Sequence, residues 1–550
     1  MTATSTIAEL VRRRAEDDNI ALYEGDRQWT YREFVDLCAE RAQFLLAQRT
    51  TGPFHVGILM DNRVEFPIWI GACALAGATM VGLNSTRRGP DLARDIRHTD
   101  CQLVITEDRY AEELRALDHG LGAGRCIDVD APEHDSVIAP YRGASIPDVE
   151  VTPQDVAMLI LTSGSTSAPK ACVCTHGRIV SMVDLVTGFA GHGPDTVSLV
   201  SMPWFHAGAI NQGWLPALAC GSATVVARFS VSRFVSTVRR YGVTHFNYVG
   251  KPLAYLLTAP ESPDDSDTTL RIVMGNEAAN DDIDRFAARF GCQVNDGYGS
   301  TEGGVGIYRT VDMPRGCLGV AASETMRVYD PATVTECVRA VFDENGSLLN
   351  ANEAIGEMVN TAGAASFEGY WKNPEADAKR VRHGILWTGD LAYRDEQGYF
   401  WFAGRDDDWL RVDGENIASA QIEELVYRHP DVVLAGVYAV PDAVVGDRAM
   451  VAVQLRDGVD PADFDAAAFD EFLSGQPDFS PKWAPGFVRV CQVPTTATSK
   501  VLRRQLRQDR WRVSDPVWWR PERNDDLRPM TDADAAAYEQ LCGQEALRRV

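Results

Sequence analysis

Four short stretches of the chain gather the groups that could do chemistry. "LTSGSTSAPK", from Leu161 to Lys170, follows the apolar run "DVAMLI" and sets Thr162, Ser163, Ser165 and Thr166 around Gly164 before ending on Lys170. Gly164 lets the backbone turn with φ > 0 and approach a ligand closely, while the hydroxyl and N–H groups are donors suited to phosphate oxygens. The spacing GxxxxGK[ST] is absent, so this is not a Walker A loop. "NDGYGSTEGG", Asn295 to Gly304, is a second glycine-rich turn with Glu302 among hydroxyls, which suits a magnesium ligand near phosphates. "WTGDLAYRDEQGYFWFAGR" supplies the isolated carboxylate Asp390 and ends on Arg405; a carboxylate accepting two vicinal hydroxyls reads a ribose. "PTTATSKVLRRQL" places Lys500 in a small-residue turn before a basic helix. Taken singly, each has a plain reading as a polar turn, a helix-start acid or a solvated lysine.

The elements that must position these groups read as α/β. "TYREFVDLCAERAQFLLA" and "FPIWIGACALAG" have helical patterns, "FHVGILM" and "CQLVITE" are short strands, and "SATVVA" and "THFNYVG" bracket the amphipathic "VSRFVSTVRRYG". This alternation through the first four hundred residues predicts α/β layers with parallel sheet. Near residue 400 the texture changes: an aromatic strand leads through three aspartates, Asp406 to Asp408, into the turn "VDGEN" and then a helix. The expected architecture is a large N-terminal domain of layered sheets and helices over 1–406 and a small mobile α+β domain over 407–550, hinged at Asp406 to Asp408.

With 550 residues, the chain is too long for one core. A net charge of −25 repels phosphate backbones and anionic headgroups, so nucleic acid is not an expected partner and any bound nucleotide needs a few placed cations, backbone N–H groups and a metal. The twelve cysteines show no CxxC pair and read as reduced thiols; Cys172 and Cys174 share one face of a strand. "MTATSTIAELVRRRAEDDN" has no apolar signal region, which predicts a cytoplasmic protein. The charge-free stretch Phe66 to Leu83 reads as a buried helix and strand divided at Gly77, not as a transmembrane span.

The joint order and spacing of the four stretches resembles the adenylate-forming superfamily of acyl-CoA synthetases, adenylation domains and luciferases, over almost the whole chain. The resemblance implies that Thr162 to Lys170 wraps the β- and γ-phosphates of ATP. It implies that Asp296, Gly297 and the stretch Tyr298, Gly299, Ser300, Thr301 and Glu302 hold adenine, α-phosphate and Mg2+, with Glu302 the metal ligand. Asp390 and Arg405 would bind ribose, with Phe402 in the same nucleotide set. Lys500 would reach the α-phosphate and the attacking oxygen, and Asp407 would be the hinge. In physical terms, an oxyanion must be brought in line with the α-phosphorus while a lysine and magnesium neutralise the growing charge in a dry cleft.

"SMPWFHAGAINQGWLPALACGSATVVARF", "MGNEAANDDIDRFAARFG" and "LRPMTDADAAAYEQL" look like the fatty acid transport protein and very-long-chain acyl-CoA synthetase branch and its actinobacterial members. By that likeness His206, Tyr248, Val249, Gly250 and Gly303 border the acid, Gly275, Asn276 and Glu277 flank the adenine, and the face from Gly414 is presented for thioester formation. Ser167 stands where the family usually carries glycine; if that position needs φ > 0, serine costs on the order of 1 kcal/mol. Three readings remain open: an acid–CoA ligase for fatty or aromatic carboxylates using coenzyme A, a diazotase that activates nitrite as a nitrosyl adenylate and passes it to an aromatic amine, and a non-catalytic binding module. The lead is the ligase. Trp204, Trp214 and Tyr248 are candidates for narrowing the acid pocket; oligomeric state is left open.

Overall fold

The computed structural model describes residues 6–162, 170–310, 312–344, 348–405, 409–412, 415–496, 499–523 and 525–542, with backbone alone at 405, 409, 411, 415 and 416. The helical pattern beginning at Thr30 folds as the helix Tyr31–Gln48, and a capping box starts it: the Thr30 side chain accepts from Glu33 N while the Glu33 carboxylate accepts from Thr30 N. The charge-free stretch becomes the helix Glu65–Ala76 and the strand Thr79–Gly82. Gly77 separates them at φ 63°, the left-handed C-terminal turn that glycine makes without strain. Among the described residues no helix is long and apolar enough to cross a membrane.

Two largely parallel sheets enclose these helices. One runs in the order Cys126–Asp128, Cys101–Thr106, His55–Leu59, Thr79–Gly82, Val156–Thr162, Lys170–Thr175, with only the last pair antiparallel. The other places the parallel strands Gln293–Gly299, Ile272–Asn276, His245–Val249 and Val197–Val200 side by side at its centre. A single apolar core joins both, with Phe34, Trp69 and Ile179 from the helices packed between Ile58 and Ile160 of the first sheet and Val200 and Val249 of the second.

The parallel reading fails before residue 400. Between Gly306 and Arg405 the strands pair antiparallel, and Met326–Asp330, Gly356–Asn360, Ile385–Arg394 and Phe400–Arg405 form a separate antiparallel sheet. No helix long enough for a crossover separates these strands, so antiparallel return is the connection available. After residue 408 comes a fourth sheet around Val432–Asp442 and Gly446–Leu455, covered by the helices Ser419–Tyr427 and Ala466–Ser474 over its own core.

Candidate active site

The ends of the first glycine-rich stretch are held on neighbouring strands. Thr162 and Lys170 face each other in antiparallel register, and Thr162 Oγ1 donates to Lys170 O at 3.3 Å. Ser163, Gly164, Ser165, Thr166 and Ser167 lie outside the described residues. Lys170 holds its Nζ 5.2 Å from the centroid of the Tyr370 ring. Burial and the Arg380 guanidinium lower its pKa, while Glu302 acts in the opposite sense.

Glu302 is the hub of this corner. Its Oε1 accepts from Tyr370 OH at 2.5 Å and from Arg380 Nη2 at 3.0 Å, and its Oε2 from Ser300 Oγ at 2.8 Å. Burial alone would raise its pKa, but Arg380 and the two hydroxyls outweigh burial and hold the carboxyl at about 2. The loop backbone is clamped from behind: Arg178 donates to Thr301 O at 3.1 Å and to Glu302 O at 2.7 Å. Gly303 turns at φ 75° and its N–H donates to Ser300 O at 3.0 Å. Arg178, Tyr370 and Arg380 were not anticipated from sequence. The Asn-Pro start of "NPEADAKR" marks the helix Pro374–Arg380, capped by Asn373, but nothing local says that its last residue meets Glu302.

The strand Gln293–Gly299 connects that corner to the rest of the site. Tyr298 OH donates to Asp390 Oδ2 at 2.5 Å, and Asp390 lies opposite Arg405 in strand register; Arg405 is described as backbone only. Phe402 packs beside Tyr298 against Ile307 and Met326. Asp296 Oδ2 accepts from Tyr248 OH at 2.5 Å and from Ala278 N at 3.3 Å. Burial pushes its carboxyl up to about 7 despite these donors. Gly275 and Gly297 are required by close approach, since a Cβ would stand 2.4 Å from Tyr248 O at the first and 2.7 Å from Ile307 O at the second. A Cβ on Gly299 would meet nothing within 4 Å.

The remaining candidates meet on the far wall. Asn276 ends the strand Ile272–Asn276, and Glu277 follows with φ 71°, a strained conformation for a side-chain-bearing residue. Lys500 Nζ donates to Glu277 Oε1 at 2.6 Å, so the late lysine is seated on the adenine-flanking segment. His206 Nδ1 accepts from Gly208 N at 3.1 Å, which puts the ring proton on Nε2; burial and the Lys500 charge bring its pKa down to about 4, and the ring is neutral near pH 7. Tyr248 and Val249 end their strand at Gly250, which turns at φ 77° with its N–H on Asn276 O at 2.9 Å. Trp204 and Trp214 lie tilted to each other within the core at 6.0 Å between ring centroids, against Phe66 and Phe34, so both are packing residues. All twelve cysteines are free thiols. Asp407 and Gly414 lie outside the described residues. Among the described residues no three His, Cys, Asp or Glu side chains converge as a metal cage.

Comparison with known proteins agrees with this geometry. Residues 10–371 match the AMP-binding enzyme family and residues 421–500 the AMP-binding enzyme C-terminal domain. The chain is 44% identical over 540 residues to a steroid-22-oyl-CoA synthetase of Rhodococcus jostii, covering 98% of this chain and 97% of that protein. It is 44% identical over 524 residues to a medium/long-chain-fatty-acid–CoA ligase of Mycobacterium marinum, covering 94% and 99%. The fold superimposes on ATP-bound MatB from Rhodopseudomonas palustris with a TM-score of 0.79 at 23% identity, over 92% of this chain and 99% of that one. The chain belongs to the AMP-binding enzyme family, with its large N-terminal α/β domain and small C-terminal domain, and within it to the ATP-dependent acid–CoA ligases.

Proposed function

We propose that the acid activated here is a fatty or steroid-type carboxylate, the class that the names of the two 44% relatives share, and that the nucleotide lies across the loop from Asp296 to Gly303. The observation that carries the placement is convergence: Lys170 and Glu302 share one cluster, Tyr298 bears on Asp390, and Lys500 reaches Glu277 beside Gly275. The motifs around His206 and Gly275 support the fatty acid transport protein branch as the nearer kin.

In the first half-reaction, a carboxylate oxygen forms a bond to the α-phosphorus and the bond to the leaving pyrophosphate breaks. Lys170 and the donors of the 163–169 loop hold the outer phosphates, Asp390 and Arg405 hold the ribose, and Lys500 exchanges Glu277 for the α-phosphate and the entering oxygen. Glu302, ionised and fixed by Arg380, Tyr370 and Ser300, has the hard oxygen donors that suit Mg2+, and since no metal cage of three such side chains forms among the described residues the remaining positions would be filled by phosphate oxygens and water. Bound magnesium would supply charge neutralisation on the phosphates. His206, neutral, closes the acid side. In the second half-reaction the thiolate of coenzyme A attacks the acyl carbon and AMP leaves, with the small domain, divided from the large one at Asp407, turned to present the face from Gly414.

ATP consumption measured with fatty acids, steroid side-chain acids, aryl acids, or nitrite plus an aminoaryl acid, each with and without coenzyme A, tests this reading. The expected result is coenzyme-A-dependent AMP release with the first two classes. Turnover with nitrite and amine that ignores coenzyme A would overturn it in favour of diazotisation.

A further inference from the structure

Below the acid-bordering residues lies a polar layer that the adenylation chemistry leaves unused. The strands His245–Val249 and Ile272–Asn276 run parallel toward Gly250 and Asn276, with Asn247 level with Met274. At their inner end, against the segment that follows Phe189 and the turn Ala209–Trp214, they enclose a cavity of ≈ 10 Å³ lined by His192, Ser198, Gln212, His245, Asn247 and Met274. That is room for a single water-sized group. The turn Ala209–Trp214 is π-helical, a widened geometry that is frequent at functional sites, and it carries Gln212.

Three polar atoms at this cavity have no partner: Asn247 Oδ1, Gln212 Oε1 and His192 Nδ1. Asn247 is 4% exposed. Its Nδ2 is committed to Gly208 O at 3.3 Å and Met202 Sδ at 3.2 Å, which fixes Oδ1 as an acceptor. The helical turn presses closely here, since a Cβ on Gly213 would stand 3.2 Å from that Oδ1. Leaving such a buried acceptor unmatched is destabilising. Asn247 also lines a larger cleft of ≈ 300 Å³ that reaches Ser499, next to Lys500, and whose lining combines Met202, Val249 and Pro252 with the charged Asp61, Arg109 and Arg228. One amide therefore lines both a cleft of substrate size, which reaches Ser499, and the small polar cell next to it. Along the strand, Asn247 and Gly250 are three residues, or about 10 Å, apart.

We infer that this cell receives a hydroxyl carried on the tail of the acid about 10 Å from its carboxylate, so the preferred substrates are hydroxylated acids rather than plain alkyl ones. Two carbonyl-type acceptors and an imidazole nitrogen match a group that both donates and accepts, and the volume admits one oxygen. A hydroxyl is the group of that size and character. An alkyl terminus would bury the same three atoms against methyl groups. This rests on the acid–CoA ligase reading above and names its substrate class.

The test compares 8-hydroxyoctanoic acid, whose extended chain sets the hydroxyl about 10 Å from the carboxylate, with octanoic acid, each with ATP and coenzyme A, by pyrophosphate release. The expected kcat/KM ratio favours the hydroxy acid by tenfold or more, and Gln212→Met brings the ratio to one or below. Asn247→Leu, made in parallel, is expected to move it in the same direction; where that variant fails to fold, Gln212→Met decides. Removing an unpartnered buried acceptor also predicts an equal or higher melting temperature for Gln212→Met. Equal kcat/KM for the two acids in the unmodified enzyme, as a fixed internal water would give, overturns the inference alone and leaves the ligase reading standing. A ratio unmoved by Gln212→Met overturns it as well. Failure of both acids, together with every other carboxylate in a fatty, steroid and aryl panel, removes the ligase reading and this inference with it.

Discussion

Glu302 concentrates the electrostatics of the nucleotide corner in one carboxylate. With its folded pKa held near 2, below the ordinary value of 4.5, its ionised form contributes stability that is complete above about pH 4.5 and lost as pH falls toward 2. The size is at most about 3 kcal/mol. Unfolding curves of the native protein and Glu302→Gln, taken between pH 6 and pH 2, are expected to converge as the pH drops; parallel pH dependence would show that Arg380 and Tyr370 do not hold this charge. Lys500→Ala is expected to lower the rate of pyrophosphate exchange by 10²- to 10³-fold while ATP still binds, because its charge acts where negative charge develops. An unchanged exchange rate removes Lys500 from the chemistry. At this scale the joint order of the four stretches singles out Lys170, Glu302, Asp390 and Lys500, and the structure sets Lys170 and Glu302 around Tyr370, Asp390 on Tyr298 and Lys500 on Glu277. Arg178 and Arg380 are not singled out, because each acts by reaching a loop more than a hundred or about eighty residues away, and nothing in their local setting reveals the target.

Among the elements, the strands carrying the site are fixed by small residues. Gly275→Ala puts a methyl group 2.4 Å from Tyr248 O, a contact that only backbone movement relieves. Loss of ATP binding together with a lowered melting temperature is expected; calorimetric ATP titration of a variant that melts normally would dissociate the two. The helices and parallel strands were legible because apolar periodicity and the capping pairs are local signals, as at Thr30 and Gly77. The antiparallel sheet between Met326 and Arg405 was not, since short strands such as Gly356–Asn360 have the same apolar character in either direction and pairing is decided by partners far along the chain. The π-helical turn Ala209–Trp214 was equally hidden: "AINQGW" satisfies an ordinary helical pattern, and the close approach of Gly213 to Val200 is a tertiary contact with no local signal.

For the molecule as a whole, the polar contacts among the described residues that join the two domains across the site include these three. Lys251 Nζ stands 3.7 Å from the centroid of the Tyr427 ring, Asn280 Nδ2 donates to Glu424 Oε1 at 3.2 Å, and Lys500 meets Glu277. Lys251→Met removes the cation from Tyr427 and leaves the chemistry untouched, so adenylation is expected to slow several-fold while thioester formation from a supplied acyl-adenylate does not; rapid-quench measurement of each half-reaction decides, and equal slowing counts against a latch. That a large N-terminal and a small C-terminal domain share the chain was readable in the sequence, whereas how the small domain docks was not, because Lys251, Tyr427, Asn280 and Glu424 are unremarkable singly. The Lys500–Glu277 contact has one more effect. A nucleotide drifting toward the cleft meets a lysine whose positive field is already cancelled by a neighbouring acid, so Lys500 adds little long-range pull in solution and little salt sensitivity to the encounter. Its attraction is released only at short range, as phosphate displaces carboxylate, which makes the lysine a discriminator of docked ligands and not a lure for approaching ones.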